Sequence, residues 1–207
     1  AARLLAQVPG LLAETPSLRK PEVRVELEEM PEVEKEFARQ VREYRDDATG
    51  KTATVDTPDA APILAEMKRL GWGLDLILNT HWHQDHAGGN AQIKAATGCT
   101  IVGPKEVTRI APLDREVGGG DEVRMGETVF QVIETGGHTL GHISYFDAAD
   151  KVAFVGDTLF ALGCGRMFEG QPDQMWASLQ RLAALPDETR VYCAHEYTAS
   201  NARFALS

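Results

Sequence analysis

The chain has 207 residues, 43% of them apolar and 25% charged, which suits one globular domain with a core that needs neither disulfides nor a structural metal. A formal net charge of -10 and a pI near 5.1, with no basic stripe, argue against nucleic acid as a partner. No run approaches the ~18 apolar residues of a membrane span, and three scattered cysteines, Cys99, Cys164 and Cys193, read as reduced thiols of a cytoplasmic protein.

The opening segment, 1–47, differs in texture from the rest. Its apolar start is interrupted by Pro9-Gly10 and carries a single Arg ahead of it, a poor match to a secretory signal. From Lys20 to Asp47 it is dense in Glu, Arg and Lys, with Phe37, Val41 and Tyr44 at helical spacing. The pattern predicts a surface helix over 31–44, or a loosely packed arm with a solvated charged face.

From residue 48 onward, short apolar runs alternate with amphipathic ones. Thr52–Val55 predicts a strand ending at Asp56, and 58–70 a helix stopped near Gly71. The run LDLILN (74–79) reads as a buried strand, 89–97 as a helix stopped by Gly98, and 100–102 as a strand. Residues 123–124 and 128–134 read as two arms of a hairpin through Gly126. Strands are also predicted at 143–146, 152–155 and 190–193, with a helix over 173–185 before the last. Helices interleaved with strands, some of them hairpin-connected, predict an α/β (α+β) sandwich with mixed sheets and no internal repeat.

Three of the six histidines fall in Thr80-His81-Trp82-His83-Gln84-Asp85-His86, directly after a buried strand. Residues two apart in extended backbone share a side, so His81 and His83 can grip one ion. Asp85 and His86 are adjacent and therefore splayed, which suits a second ion beside the first. Such density has few purely structural explanations, because each buried polar side chain would need its own partner. His138 follows the strand ending at Glu134, Asp157 follows Val155 through Gly156, and His195 follows Cys193. Loops presenting side chains over a rigid sheet are the usual place for catalytic groups. His142, four residues past His138, reads as support for a ligand loop.

Five imidazoles and two carboxylates suit two ions sharing one bridge. The expected arrangement places His81, His83 and His138 on the first ion and Asp85, His86 and His195 on the second. Asp157 bridges them, because its two oxygens offset part of the repulsion between two dications. Mixed N/O ligands admit zinc, the first expectation, or iron or manganese. Two ions ~3.5–4 Å apart lower the pKa of a shared water and polarise a carbonyl, so acyl hydrolysis by hydroxide, with Asp85 and Asp157 as the catalytic carboxylates, is the expected reaction. No Gly-x-Ser-x-Gly motif competes, and Cys193 reads as a small buried apolar residue.

The segments THWHQDHAGGN, GGHTLGH, VGDTLF and AHEY resemble, in order and spacing, the metallo-β-lactamase superfamily. Within it, GDTLFALGCGRMFEG (156–170) and VYCAHEYTASNARFA (191–205) are similar to the glyoxalase II (hydroxyacylglutathione hydrolase) family. The likeness spans roughly 50–205. It implies a four-layer αββα sandwich over 48–207, with the same seven metal ligands at one edge. It also implies hydrolysis of the S-D-lactoylglutathione thiolester to a 2-hydroxy acid and glutathione, as in methylglyoxal detoxification, with Arg166, Phe168 and Tyr197 contacting the substrate. Arg166 suits a glutathione carboxylate, Tyr197 the thiol-bearing part, and Gly163-Cys164-Gly165 a close backbone approach to a ligand. The family continues into a helical domain that lies outside these 207 residues, and it opens on an apolar hairpin unlike 1–47. Three alternatives share the ligand pattern. They are a persulfide dioxygenase with one iron, a lactone or β-lactam hydrolase, and a metal-binding scaffold without activity.

Overall fold

Strand-period and helix-period apolar patterns along this chain build two sheets, each covered outside by helices. The computed structural model describes residues 43–207. The helix expected over 31–44 lies outside them, apart from Glu43 and Tyr44, which are strand.

The first sheet has the order β1 (Glu43–Arg45), β2 (Thr52–Val55), β3 (Leu76–Leu78), β4 (Thr100–Gly103) and β5 (Arg115–Glu116). Strand β1 pairs antiparallel with β2, and the other neighbours are parallel. Parallel neighbours need crossovers, which α1 (Ala60–Leu70) and α3 (Asn90–Thr97) supply. Every residue of β2 and β3 is buried, as expected of strands covered on both faces. Between β3 and α3 lies the four-residue helix α2 (Gln84–Ala87).

The second sheet runs β12 (Arg190–Cys193), β9 (Val152–Gly156), β8 (Ile143–Asp147), β7 (Thr128–Glu134), β6 (Glu122–Met125). Its pairs are antiparallel except β12 with β9, which α4 (Pro172–Ala183) connects. A small hairpin, β10 (Leu159–Phe160) with β11 (Gly163–Cys164), precedes α4, and α5 (Thr198–Leu206) follows β12.

Alternation along each strand divides the apolar side chains among three layers. Ala53, Val55, Leu76, Leu78 and Val102 of the first sheet meet Phe130, Val132, Tyr145, Val152 and Phe154 of the second. On its outer face the first sheet packs Ile77 and Ile101 against Ile63, Met67 and Ile93 of α1 and α3. The second sheet packs Phe146, Ala153 and Val155 against Met175, Leu179 and Leu182 of α4. The layer order is helix, sheet, sheet, helix, and truncating one of these buried aliphatic side chains to Ala would destabilise by ~2–5 kcal/mol.

The expected strands and helices are present within one or two residues. Helix α1 starts at Ala60 because the Asp59 carboxylate accepts the Ala61 amide at 3.0 Å, and Gly71 ends it with φ 69°. Among the described residues no helix is long and apolar enough to cross a membrane.

Candidate metal centre

Strands β2, β3, β7, β9 and β12 all end at one edge of the sandwich, and the loops leaving them carry the expected ligands. Residues 80–86 are held down by their own backbone: the His86 carbonyl accepts from Thr57 N at 2.7 Å and from Asn79 Nδ2 at 2.8 Å. His83, Asp85 and His195 face the cleft, while His81 and His86 are fully buried behind them.

Hydrogen bonds to groups outside the cluster set the imidazole tautomers. Thr80 Oγ1 donates to Asp56 Oδ2 and so accepts from His81 Nδ1–H at 3.0 Å. His86 Nδ1–H donates to Asp56 Oδ2 at 2.8 Å, and His138 Nδ1–H to the Arg166 carbonyl at 2.7 Å. In all three rings the bare Nε2 is left facing the cluster.

These nitrogens converge on two points. His81 Nε2 and His138 Nε2 each lie 3.0 Å from His83 Nδ1. His86 Nε2 and His195 Nε2 are 3.4 Å apart, and Asp85 Oδ2 lies 3.7 Å from the first and 3.4 Å from the second. Asp157 stands between the groups, with Oδ1 3.3 Å from His86 Nε2 and Oδ2 3.4 Å from both His138 Nε2 and His195 Nε2. All seven expected residues are thus brought together. Donors ~2.0–2.1 Å from a tetrahedral ion stand about 3.3 Å from one another, so these spacings fit. Asp157 Oδ1 is buried and accepts no hydrogen bond, an unmet demand that a cation meets.

The electrostatics point the same way. Burial pushes His81 well below its usual pKa and lowers His138. Hydrogen bonds to Asp157 and then Asp85 push His195 up to about 10. Burial opposes charging of His86, but Asp56 and then Asp157 and Asp85 outweigh it and raise its pKa. Asp85 is held well below the carboxylate range, first by His195. The carboxylates therefore draw protons onto neighbouring imidazoles, and a divalent cation at the same points substitutes for those protons.

His142 is not a donor to the cluster. Its Nε2 accepts the Asp157 amide at 3.1 Å, and its Nδ1–H points to Thr135 and Thr158 hydroxyls at 3.0 and 3.1 Å. Burial pushes it down to about 3, so it stays neutral and fixes the backbone of Asp157. Asp56 was not among the expected site residues, although an Asp closing a buried strand repeats the setting of Asp157. It stands at φ 58° with its carboxylate shared among Thr80 N, Thr80 Oγ1 and His86 Nδ1.

An open cleft of about 600 Å³ lies over the cluster, with Trp82, Phe168, Glu169 and Tyr197 on its walls. Tyr197 stacks on His195 with ring centroids 5.5 Å apart, and the exposed Arg166 sits with its guanidinium 5.7 Å from the Phe168 ring. The glycines before Arg166 serve the chain itself: a Cβ on Gly165 would overlap the Asp157 carbonyl oxygen, and Cys164 is exposed.

Two mixed sheets between helix layers, with histidines and aspartates gathered at their common edge, define a protein built to hold divalent metal ions. The family model described as the metallo-beta-lactamase superfamily matches residues 44–195, and the chain belongs to that superfamily. It is 58% identical over 163 residues to the hydroxyacylglutathione hydrolase of Maricaulis maris, covering 78% of this chain and 64% of that one. The chain spans about 62–64% of the length of the first curated relatives it matches. Among solved structures it is similar to ETHE1 from Myxococcus xanthus, with TM-score 0.66 and 35% identity over 75% of this chain and 69% of that one. It is also similar to TTHA1623 in a di-iron-bound form, with TM-score 0.65 and 28% identity over 74% of this chain and 86% of that one.

Proposed function

We propose that this chain carries the metal centre of a thiolester hydrolase that cleaves S-(2-hydroxyacyl)glutathione to a 2-hydroxy acid and glutathione. The observation that carries the reading is the gathering of seven donors at two points with Asp157 between them, in a chain 58% identical to a hydroxyacylglutathione hydrolase. The catalytic unit is residues 48–207, to which Tyr44 and Asp46 add an edge strand and a turn. His81, His83 and His138 would hold one ion, Asp85, His86 and His195 a second, and Asp157 both. The di-iron form of a similar structure supports two ions, and the donor set suits zinc first, then iron or manganese. Such ions supply Lewis acidity for the thiolester carbonyl and ionise a water near neutral pH.

The protein's own residues then do the rest. Asp85 is exposed and anionic at the cleft wall, placed to accept a hydrogen bond from the attacking water and orient it, the water's proton passing to solvent. Water oxygen bonds to the acyl carbon, the carbon–sulfur bond breaks, and the thiolate leaves into the cleft, where a proton completes glutathione. Phe168 and Tyr197 offer aromatic faces to the apolar part of the substrate, and Arg166 a charge-assisted contact to a carboxylate. Three cysteines outside any disulfide suit a reducing compartment, and a cytoplasmic setting belongs to the same reading.

The test is thiol release from S-D-lactoylglutathione by metal-replete protein, with metal analysis of the same sample. We expect hydrolysis and about two ions per chain. Oxygen uptake with glutathione persulfide, one iron per chain and no thiol release would replace this reading with the dioxygenase.

A further inference from the structure

The loop 137–142 brings His138 to the cluster and His142 to the Asp157 backbone, yet it belongs to no helix or strand. Its amide groups need acceptors. Two glutamates far away in sequence provide them. Glu106, on the 3-10 helix Lys105–Arg109, is buried beneath the loop. Its Oε1 accepts from Thr139 Oγ1 at 2.5 Å and its Oε2 from the Gly141 amide at 2.8 Å. A Cβ at position 141 would stand 2.7 Å from that Oε2, so a side chain there would push the Glu106 carboxylate aside.

Glu169 meets the loop at its half-buried rim, where Oε2 accepts the Leu140 amide at 2.9 Å. Its other oxygen receives Arg109 Nη1 at 2.6 Å, and the Arg109 guanidinium lies 5.0 Å from the Trp82 ring centre. Glu106 and Arg109 are three residues apart, on one face of the 3-10 helix. The segment bearing Glu169 also folds back on the ligand: Phe168 N donates to the His138 carbonyl at 3.1 Å, and His138 Nδ1–H to the Arg166 carbonyl.

We propose that Glu106 and Glu169 are positioning residues that clamp the 138–142 loop from beneath and from its rim, and so set where His138 presents Nε2. This rests on reading His138 as a ligand. The clamp bears directly on the His81–His83–His138 group, which takes a ligand from this loop, whereas the His86–His195 group is reached only through His142 and the shared Asp157.

Cobalt(II) titration of metal-free protein, followed by visible absorption, tests it. Glu106→Ala should weaken one of the two cobalt sites about ten- to a hundredfold, in line with the loss of supporting hydrogen bonds around a ligand, and the other by a much smaller factor. Glu106→Gln should restore near-wild-type affinity, because an amide oxygen can accept from Gly141 N while its NH2 donates to Thr139 Oγ1. Glu169→Gln should weaken the same site by a smaller factor, and it serves, with Thr139→Val, if Glu106→Ala does not fold. Equal losses at both sites, or wild-type affinity in folded Glu106→Ala and Glu169→Gln, overturns the clamp. Wild-type protein that takes up no cobalt overturns both the clamp and the metal reading, whereas normal wild-type uptake with unchanged variants overturns the clamp alone.

Discussion

Asp157 is the residue at which burial, charge and both donor groups meet. Its unpartnered Oδ1 and its contacts to His86, His138 and His195 leave it little purpose except to face cations. Asp157→Asn keeps the shape and removes the charge. We expect thiolester hydrolysis to fall by on the order of 10²–10³ or more, several kcal/mol of transition-state stabilisation, while circular dichroism and melting stay close to wild type. Near-normal turnover would take Asp157 out of the centre, and unfolding would make the ions structural. Asp56→Asn poses a different question, because Asn tolerates the φ of 58° but cannot take the His86 proton as a charged acceptor. Zinc competition should report a ~10–100-fold weaker site with the fold intact. The seven donors were legible because they are dense and sit at strand ends. Asp56, Glu106 and Glu169 were not, because each acts on a partner distant in sequence, 30 residues for Asp56–His86 and 35 for Glu106–Gly141.

Elements were legible where a period or a cap marked them. Asp59 and Gly71 bracket α1, and Gly126 turns β6 into β7 with φ 62°. The two-residue strands β5, β10 and β11 are too short to carry any period, and the four residues of α2 hold no apolar stripe. Strand β1 sits in a charged stretch whose Tyr44 suggested a helix. In the sheet, Tyr44 instead packs edge-on against Phe130, with ring centroids 5.3 Å apart. Asp46 follows that strand and ties two turns together, accepting from Thr49 N and Oγ1 and from Glu127 N, Thr128 N and Thr128 Oγ1. The Thr49 hydroxyl above all, with the Thr128 donors, holds its carboxyl well below the usual range. A depressed carboxylate stabilises the fold above the unfolded value of about 4 and loses that contribution as pH falls through the folded value. Asp46→Asn should therefore lower the melting temperature at pH 7 and flatten its decline below about pH 4. An acid limb as steep as that of the wild type would show that other carboxylates govern it.

Among the described residues, two five-stranded sheets are joined by an apolar layer, and that layer contains no metal donors. Protein stripped with a chelator should keep its far-ultraviolet spectrum and melt cooperatively. Restoring zinc to a hundred times its dissociation constant should add ~2.7 kcal/mol of stability through linkage. Loss of secondary structure on chelation would contradict the order of events this architecture implies. Tyr145 offers a second probe at this scale, since its hydroxyl crosses from β8 to the Asn79 carbonyl at 2.9 Å, just behind the ligand loop. Tyr145→Phe leaves that carbonyl short of a donor and should cost about 1–3 kcal/mol in denaturant melts.

His81, His83, Asp85 and His86 hang from the first sheet, and His138, Asp157 and His195 from the second. The donor set therefore works as a vernier between two slabs. Sliding one slab along the other by a fraction of an ångström moves four of the seven candidate donors relative to the other three. Volume changes at Phe130 or Phe154, between the sheets, should accordingly register as altered preference among zinc, iron and manganese as well as lost stability.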